Sequence, residues 1–529
     1  MNETVVGEKG MVVAPHRAAA EAGAEVLRAG GNALEAILAA AATIAVVYPH
    51  MNSIGGDSFF LISEPGRPVR AIDACGPAGT LATPERYSKA GYDVMPTRGP
   101  DAALTVAGTV SGWQLASEVA TALGGRLDRR DLLGDAVGRA REGIVVTRSQ
   151  SQMATEYLDE LAPVPGFAEH FLVDGKTPEI GSRLKMERLA DTLDRMAHVG
   201  FQDFYKGDIA AMIAAELEAV GSPVAREDLR RQEARLVTPL TLNLADATVH
   251  NMTAPTQGLA SLIILGLFDR LGVKRGETFD HLHGLIESTK RAFAVRDREI
   301  ADPRIVDDLT QYLEPSWLDP EALTIDRKRA ERWGGGGGKG DTIWMGAIDR
   351  KGLSVSFIQS IYWEYGSGVV LPRTGILWQN RGAGFSLDPA SLNVLKPGKK
   401  PFHTLNPPLA RFRDGRIMAY GSMGGDGQPQ FQAAVFTRHA RFGMELSEAI
   451  DAPRWRLGRT WGSETAELVV ENRFDPDLIE ALARAGHGIE VLDEAYSDGL
   501  GHAGAIVRRA DGRLFGASDP RSDGAAVAV

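Results

Sequence analysis

A single cysteine, Cys75, is present in 529 residues, so the chain can form no internal disulfide and nothing ties it to an oxidising compartment. Basic residues are outnumbered, 58 Lys and Arg against 69 Asp and Glu, for a formal net charge of −11. That balance argues against nucleic acid and anionic membrane surfaces as partners, since both reward a positive surface. Long apolar runs are also missing. The charge-free stretch Ala36–Tyr48 stops at Pro49, well short of the ~20 residues a membrane-spanning helix requires. Met1–His16 carries Glu3, Glu8 and Lys9 and no apolar run of signal-peptide length, which leads to the expectation of a cytoplasmic protein. No internal repeat or heptad array is visible.

The remaining composition, 44% hydrophobic and 24% charged, is that of a globular protein able to bury a large core. The first half reads as mixed α and β: a strand at Met11–Pro15, a helix at Arg17–Arg28 ended by Gly30-Gly31, a helix buried on all sides at Ala36–Tyr48, and a strand at Ser58–Ser63. From Leu115 to Asp308 most patterns are helical, including Lys185–His198, Asp208–Glu218 and Thr278–Ile300. Strand patterns dominate later, at Asp341–Arg350, Leu353–Tyr362 and Gly415–Gly421, with helices at Phe431–Phe442 and Pro476–Ala485.

One segment stands apart, the run of five glycines followed by Lys339-Gly340-Asp341-Thr342. Gly340 after Lys339 rules out a phosphate-binding loop, which needs Ser or Thr there. By composition it is a flexible linker, but it feeds directly into a strand headed by Thr342. That arrangement suits a chain that cuts itself, because a freed threonine can use its own amine, titrating near pH 8, as the base for its hydroxyl.

These residues, with Gly30-Gly31-Asn32-Ala33, Gly55-Gly56-Asp57, the run His283–Asp302, Ser360, Gly375-Ile376-Leu377, Asn380, Gly421-Ser422-Met423-Gly424-Gly425, Gly501-His502-Ala503 and Asp519–Gly524, resemble the γ-glutamyltranspeptidase family of N-terminal-nucleophile hydrolases over nearly the whole chain. The resemblance implies an α/β fold, a four-layer α/β/β/α sandwich, made as a precursor that cuts itself between Asp341 and Thr342. Residues 1–341 would form a large subunit and residues 342–529 a small one, together one catalytic domain. It further implies Thr342 as nucleophile, Ser360 as the hydroxyl that orients it, and the N–H groups of Gly424 and Gly425 as the oxyanion hole. No cofactor and no metal are implied.

The departures from the family pattern concern the substrate. Cys75 stands where γ-glutamyl enzymes hold the substrate carboxylate with arginine. Tyr362 replaces an Asn, Arg381 a Gln, Gly384 the Asp that pairs the substrate ammonium, and His403-Thr404 a Ser-Ser pair. A γ-glutamyl substrate is therefore disfavoured. Tyr362, Arg381, His403, Thr404 and Ser422 are the expected substrate-binding residues, forming a smaller, more cationic pocket for a short acid-amide. The runs Phe357–Tyr362 and Trp378–Gly382 resemble the branch that includes oxamate amidohydrolase, implying conversion of oxamate to oxalate and ammonia. The short stretch Ser386–Phe402 leads to the expectation that no long lid excludes water. Alternatives are a γ-glutamyl hydrolase or transpeptidase with its carboxylate on Arg381 or Arg373, an acylase of bulkier amides, and an uncleaved binding module. The expected partners are a small-molecule amide and the two subunits of one precursor, with a dimer of cleaved heterodimers left open. His281, His283 and Glu287 suggest a metal, but histidines two apart on a helix diverge.

Overall fold

Side-chain alternation along the strand Asp341–Asp349 assigns the layers. The computed structural model describes residues 3–333, 341–458 and 468–529, with only the backbone of Asp341; the glycine run, Lys339 and Gly340 lie outside the described residues. Ile343, Met345 and Ala347 pack on one side of the sheet with the helices Arg17–Arg28, Ala33–Val47, Thr109–Ala122 and Arg129–Glu142. Trp344 and Ile348 point to the other side, into a thinner core. This is the period of two that a pleated strand imposes.

The sheet containing this strand runs in the order Ala525–Ala528, Gly10–Ala14, Asp341–Asp349, Ser354–Tyr362, Asp57–Ser63, Arg70–Ala74, Arg235–Val237. A second seven-stranded sheet runs Val5–Gly7, Leu514–Ser518, Ala503–Arg508, Ile417–Ser422, Leu409–Phe412, Ala247–Asn251, Leu240–Asn243. Neighbours are antiparallel in both. Met11, Val13, Phe59, Leu61, Trp344, Ile358, Ala419 and Ile506 fill the space between the sheets. The outer face of the second sheet is covered by the helices Gly258–Leu271, Phe279–Glu299 and Gln428–Phe436. The order is thus helices, sheet, sheet, helices: the four-layer sandwich expected from the sequence.

Trp344 sets the spacing between the sheets near the site. A Cβ at Gly421 would lie 2.2 Å from its ring and one at Gly504 2.7 Å from it, so the indole occupies room that side chains there would fill. Removing so large a buried ring costs about 3–5 kcal/mol. The helix Ala33–Val47 is buried at every position and begins at a capping box between Asn32 and Glu35, three residues earlier than its apolar run suggests.

Two readings of the sequence are corrected. The stretch 235–251, taken within a largely helical region, forms the strands Arg235–Val237, Leu240–Asn243 and Ala247–Asn251. They are too short for their alternation to stand out between long helices. The helix expected at Phe431–Phe442 begins at Gln428 and passes into a π turn at Thr437–Arg441. Among the described residues no helix is long and apolar enough to cross a membrane.

Candidate active site

The strand pair carrying Thr342 is irregular at one point. Asp341 pairs with Tyr362 but Ile343 pairs with Gln359, so a bulge on Ser354–Tyr362 lies opposite Thr342. Bulges re-aim side chains next to active sites. Here the Thr342 hydroxyl donates to Ser360 Oγ at 3.3 Å, and Ser360 Oγ also accepts from Tyr362 N at 2.8 Å. Gly56 lets the neighbouring loop close in, since a Cβ there would lie 2.1 Å from the Ser360 carbonyl oxygen. From the start of the helix Gln428–Phe436, Gln428 Nε2 donates to Thr342 Oγ1 at 3.3 Å.

Gly424 and Gly425 follow the strand Ile417–Ser422 as a tight loop, with φ of 115° and 51°. Both values lie in the left-handed region that favours glycine, and a Cβ on Gly424 would stand 2.7 Å from the Phe431 ring. The loop's carbonyls are tied back. Gly424 O accepts from Gly427 N at 2.8 Å and Gly425 O from Gln257 Nε2 at 2.8 Å. Gln257 is itself set by Arg296, whose Nη1 donates to Gln257 Oε1 at 3.1 Å and lies 3.2 Å from Asp426 Oδ1. Ser422 is turned away from this chemistry: its hydroxyl donates to Met423 O at 2.8 Å.

Arg381, Tyr362 and Thr404 form a second group. The Arg381 guanidinium lies over the Tyr362 ring at 3.7 Å, and its Nη1 and Nη2 each donate to Thr404 Oγ1 at 3.3 Å. It is 1% exposed, its Nε has no hydrogen-bond partner, and it forms no salt bridge among the described residues. Burial draws its pKa down to about 10, against the pull of Tyr362 and Asp57, so the cation persists at neutral pH. Two short routes link it to Thr342. One passes through Tyr362 and Ser360, the other through Thr404, Asn406 and Gln428.

His403 is engaged with Asp57. Leu405 N donates to its Nδ1 at 3.4 Å, so the proton sits on Nε2, which donates to Asp57 Oδ2 at 3.2 Å. Burial, then Arg381 and Lys400, hold its pKa well below the usual value, and the ring is neutral. Asp57 pairs with Ser360 across the strands and its Oδ1 accepts from Gly76 N, Gly108 N and Gln379 Nε2. Burial pushes this carboxyl up to about 7 while those donors and Arg381 pull it back. His403 thus props the Asp57 carboxylate behind Arg381.

Several expectations change. Arg373 is exposed and bonded through its backbone to Glu216, away from Arg381. Thr342, Ser360, Arg381, His403 and Thr404 are all buried. The stretch 386–402 is short but anchored, through Gly398 and Lys399 to Ala78 and through Lys400 to Asp302 and Asp73. Cys75 is a buried thiol whose pKa burial raises well above its usual value. His281 turns to Thr437, while His283 and Glu287 meet His487. In that cluster Lys290 already sits 2.6 Å from Glu287 and His283 is bonded to His487 at 2.9 Å. A divalent ion would add its charge beside a buried ammonium.

Asp57, Gln257, Arg296, Asn406, Asp426 and Gln428 were not singled out from sequence for the site. Asp57 and Arg296 lay inside motifs already quoted, Gly55-Gly56-Asp57 and the run His283–Asp302, and Asp426 and Gln428 directly after the Gly424-Gly425 motif; Gln257 and Asn406 had no such signal.

The chain is similar to known proteins over most of its length. The family model described as Gamma-glutamyltranspeptidase matches residues 19–529. The oxamate amidohydrolase proenzyme of Klebsiella pneumoniae is 54% identical over the full length of both chains. The glutathione hydrolase-like YwrD proenzyme of Bacillus subtilis is 37% identical, again over all of both chains. Among solved structures, a cephalosporin acylase from Bacillus halodurans superposes with a TM-score of 0.92 at 31% identity, covering 100% of this chain and 97% of that one.

Proposed function

The chain belongs to the gamma-glutamyltranspeptidase family, and on that premise we propose that it is a self-maturing threonine amidohydrolase converting oxamate and water to oxalate and ammonia. It is a hydrolase of amide bonds, as its relatives are. The observation that carries the substrate class is Arg381, a buried cation with an unused Nε–H and no salt bridge among the described residues. Such a group costs desolvation energy unless an anion joins it. A substrate whose carboxylate adjoins the scissile carbonyl would bring that anion within reach of both Arg381 and Thr342. The Tyr362 ring beside Arg381 favours a short acyl group, and Cys75 and Gly384 offer no charged anchor for a γ-glutamyl one.

Maturation and turnover use the same oxygen. Thr342 Oγ attacks the Asp341 carbonyl carbon, the C–N bond breaks, and water hydrolyses the resulting ester. This frees the Thr342 amine and separates residues 1–341 from 342–529. In turnover the hydroxyl attacks the oxamate amide carbon and its proton passes to that amine. Negative charge develops on the carbonyl oxygen facing the N–H groups of Gly424 and Gly425. Collapse expels ammonia, which takes the proton from the amine. Water then attacks the oxalyl ester, the bond to Thr342 Oγ breaks, and oxalate leaves. A cytoplasmic location accords with the single cysteine.

The test is ammonia release from oxamate by purified protein, beside a Thr342→Ala control, with subunit bands followed on a gel. Release by the cut wild type alone supports the reading. A cut protein that is silent on oxamate sinks the substrate and turns attention to γ-glutamyl and bulkier acyl amides. An uncut, silent protein points to a binding module.

A further inference from the structure

We infer that Gln428 is a catalytic residue, holding an N–H on the nucleophilic oxygen so that this oxygen departs more readily when the acyl-enzyme is hydrolysed. The inference rests on the threonine-nucleophile reading, though not on oxamate as the substrate.

The orientation of the Gln428 amide is fixed by a relay that begins at a backbone group. Met252 N donates to Asn251 Oδ1 at 2.8 Å, which leaves Asn251 Nδ2 to donate to Asn406 Oδ1 at 3.2 Å. Asn406 Nδ2 then donates to Gln428 Oε1 at 3.1 Å and to Thr404 O at 2.9 Å. With its oxygen engaged, Gln428 must turn Nε2 toward Thr342 Oγ1, 3.3 Å away. A side-chain amide is ambiguous by itself, but a backbone N–H at one end and a backbone carbonyl in the middle can only donate and accept respectively. All three amides are fully buried, where such chains polarise one another. Asn251 lies before the expected cleavage site, and Asn406 and Gln428 after it.

A donor on Oγ does little for the first attack, because it occupies a lone pair of the nucleophile. Its benefit comes when the bond between the acyl carbon and Oγ breaks and the electron pair stays on oxygen. The N–H then stabilises the developing alkoxide until the Thr342 ammonium returns a proton to it. Gln428 gains and loses no proton. The same logic applies to the Asp341 ester during self-cleavage.

The test uses Gln428→Met, which keeps length and removes the donor, and Asn251→Asp, which touches neither Thr342 nor Gln428. An aspartate at 251 offers only acceptors, so Asn406 and then Gln428 are biased to flip and present oxygen to Thr342. Both are compared with wild type for thermal midpoint, self-cleavage of freshly translated chain, and turnover of oxamate. The expected result for Gln428→Met is a kcat lower by about ten- to a hundredfold, a KM lower in parallel, and a burst of ammonia approaching one equivalent. Asn251→Asp should show the same signature more weakly. An unaltered kcat, or a raised KM with no burst, overturns the inference. If Gln428→Met folds but stays uncut, hydroxylamine decides: a precursor cleaved by it has accumulated the ester, as expected, and a resistant one overturns the inference. If wild type matures but ignores oxamate, the substrate reading fails and the self-cleavage rates still decide the role of Gln428.

Discussion

The guanidinium of Arg381 lies 3.7 Å above the ring of Tyr362, both side chains buried, with Tyr362 held at φ +85°. A non-glycine residue in that region costs about 1–3 kcal/mol and persists where the surroundings impose it. Tyr362 follows the bulge opposite Thr342, so the distortion that brings Ser360 to Thr342 also lays the ring against the cation. The ring face shields one side of the guanidinium and leaves its N–H edge for an anion.

Arg381→Met should separate stability from activity. Loss of charged hydrogen bonds worth about 1.5–3 kcal/mol each should lower kcat/KM for oxamate by about a hundredfold or more. The unfolding midpoint should stay level or rise, because a buried cation with no salt bridge among the described residues has gone. Oxalate should raise the midpoint of wild type but not of the variant. A variant that keeps full activity and loses stability would make Arg381 a packing residue.

Gly424→Ala should lower kcat by about 10²–10³ and slow self-cleavage. The added Cβ meets the Phe431 ring at 2.7 Å on a backbone with φ of 115°, so the loop must shift its N–H groups. Near-normal turnover by the alanine variant would remove this loop from the oxyanion hole.

The two halves of the cut chain should elute as one species and separate only on denaturation. In the first sheet the strands Gly10–Ala14 and Asp57–Ser63, from before the cut, flank Asp341–Asp349 and Ser354–Tyr362, from after it. With Ala525–Ala528 on Gly10–Ala14, Leu514–Ser518 on Val5–Gly7 and Leu409–Phe412 on Ala247–Asn251, parting them would break five ladders among the described residues and open the core between the sheets. Recovery of a soluble fragment 342–529 alone under native conditions would contradict this.

Stability should fall as pH drops from about 7 to 5.5. Burial lowers the pKa of His16 and His250 to about 4 and His487 to about 3, holds His50 and His403 well below 6.5, and lowers His281 and His439. The unfolded chain takes up protons near 6.5 that the folded chain refuses, so acid favours unfolding. Asp57, Asp349 and Asp523 have raised pKa values and act the opposite way, since the folded chain keeps protons that the unfolded one releases. Seven groups against three leave the histidines dominant, each fully buried one contributing up to about 1.4 kcal/mol per pH unit. Urea midpoints at the two pH values test this, and a flat profile would mean the histidines are protonated in the fold.

Much of the architecture was legible locally. The helices Arg17–Arg28 and Pro476–Ala485 match the ranges read from sequence, because amphipathic spacing, Gly30 and Gly486 mark their faces and ends. The strands at Arg235–Val237 and Leu240–Asn243 were not legible, since three or four residues carry too little alternation to register. In the site, Thr342 could be named because it heads a strand directly after the glycine run, and Ser360 because it stands in one of the motifs that carry the family resemblance. Ser422 could be named but not oriented, and its hydroxyl is taken by Met423 O.

By itself the sequence determined the threonine-headed strand after the glycine run, from residue type and order within a short window, and, through its ordered motifs and their family resemblance, the expectation of the sandwich layers and of the Gly424-Gly425 loop. Only the tertiary structure decided that Gln428 reaches Thr342 across 86 residues, that a bulge aligns Ser360 with it, and that Arg381 is buried against Tyr362 with an N–H to spare. Those facts depend on the register between strands distant in sequence and on which way buried amides must turn to satisfy their neighbours, and neither quantity exists until the sheets have paired.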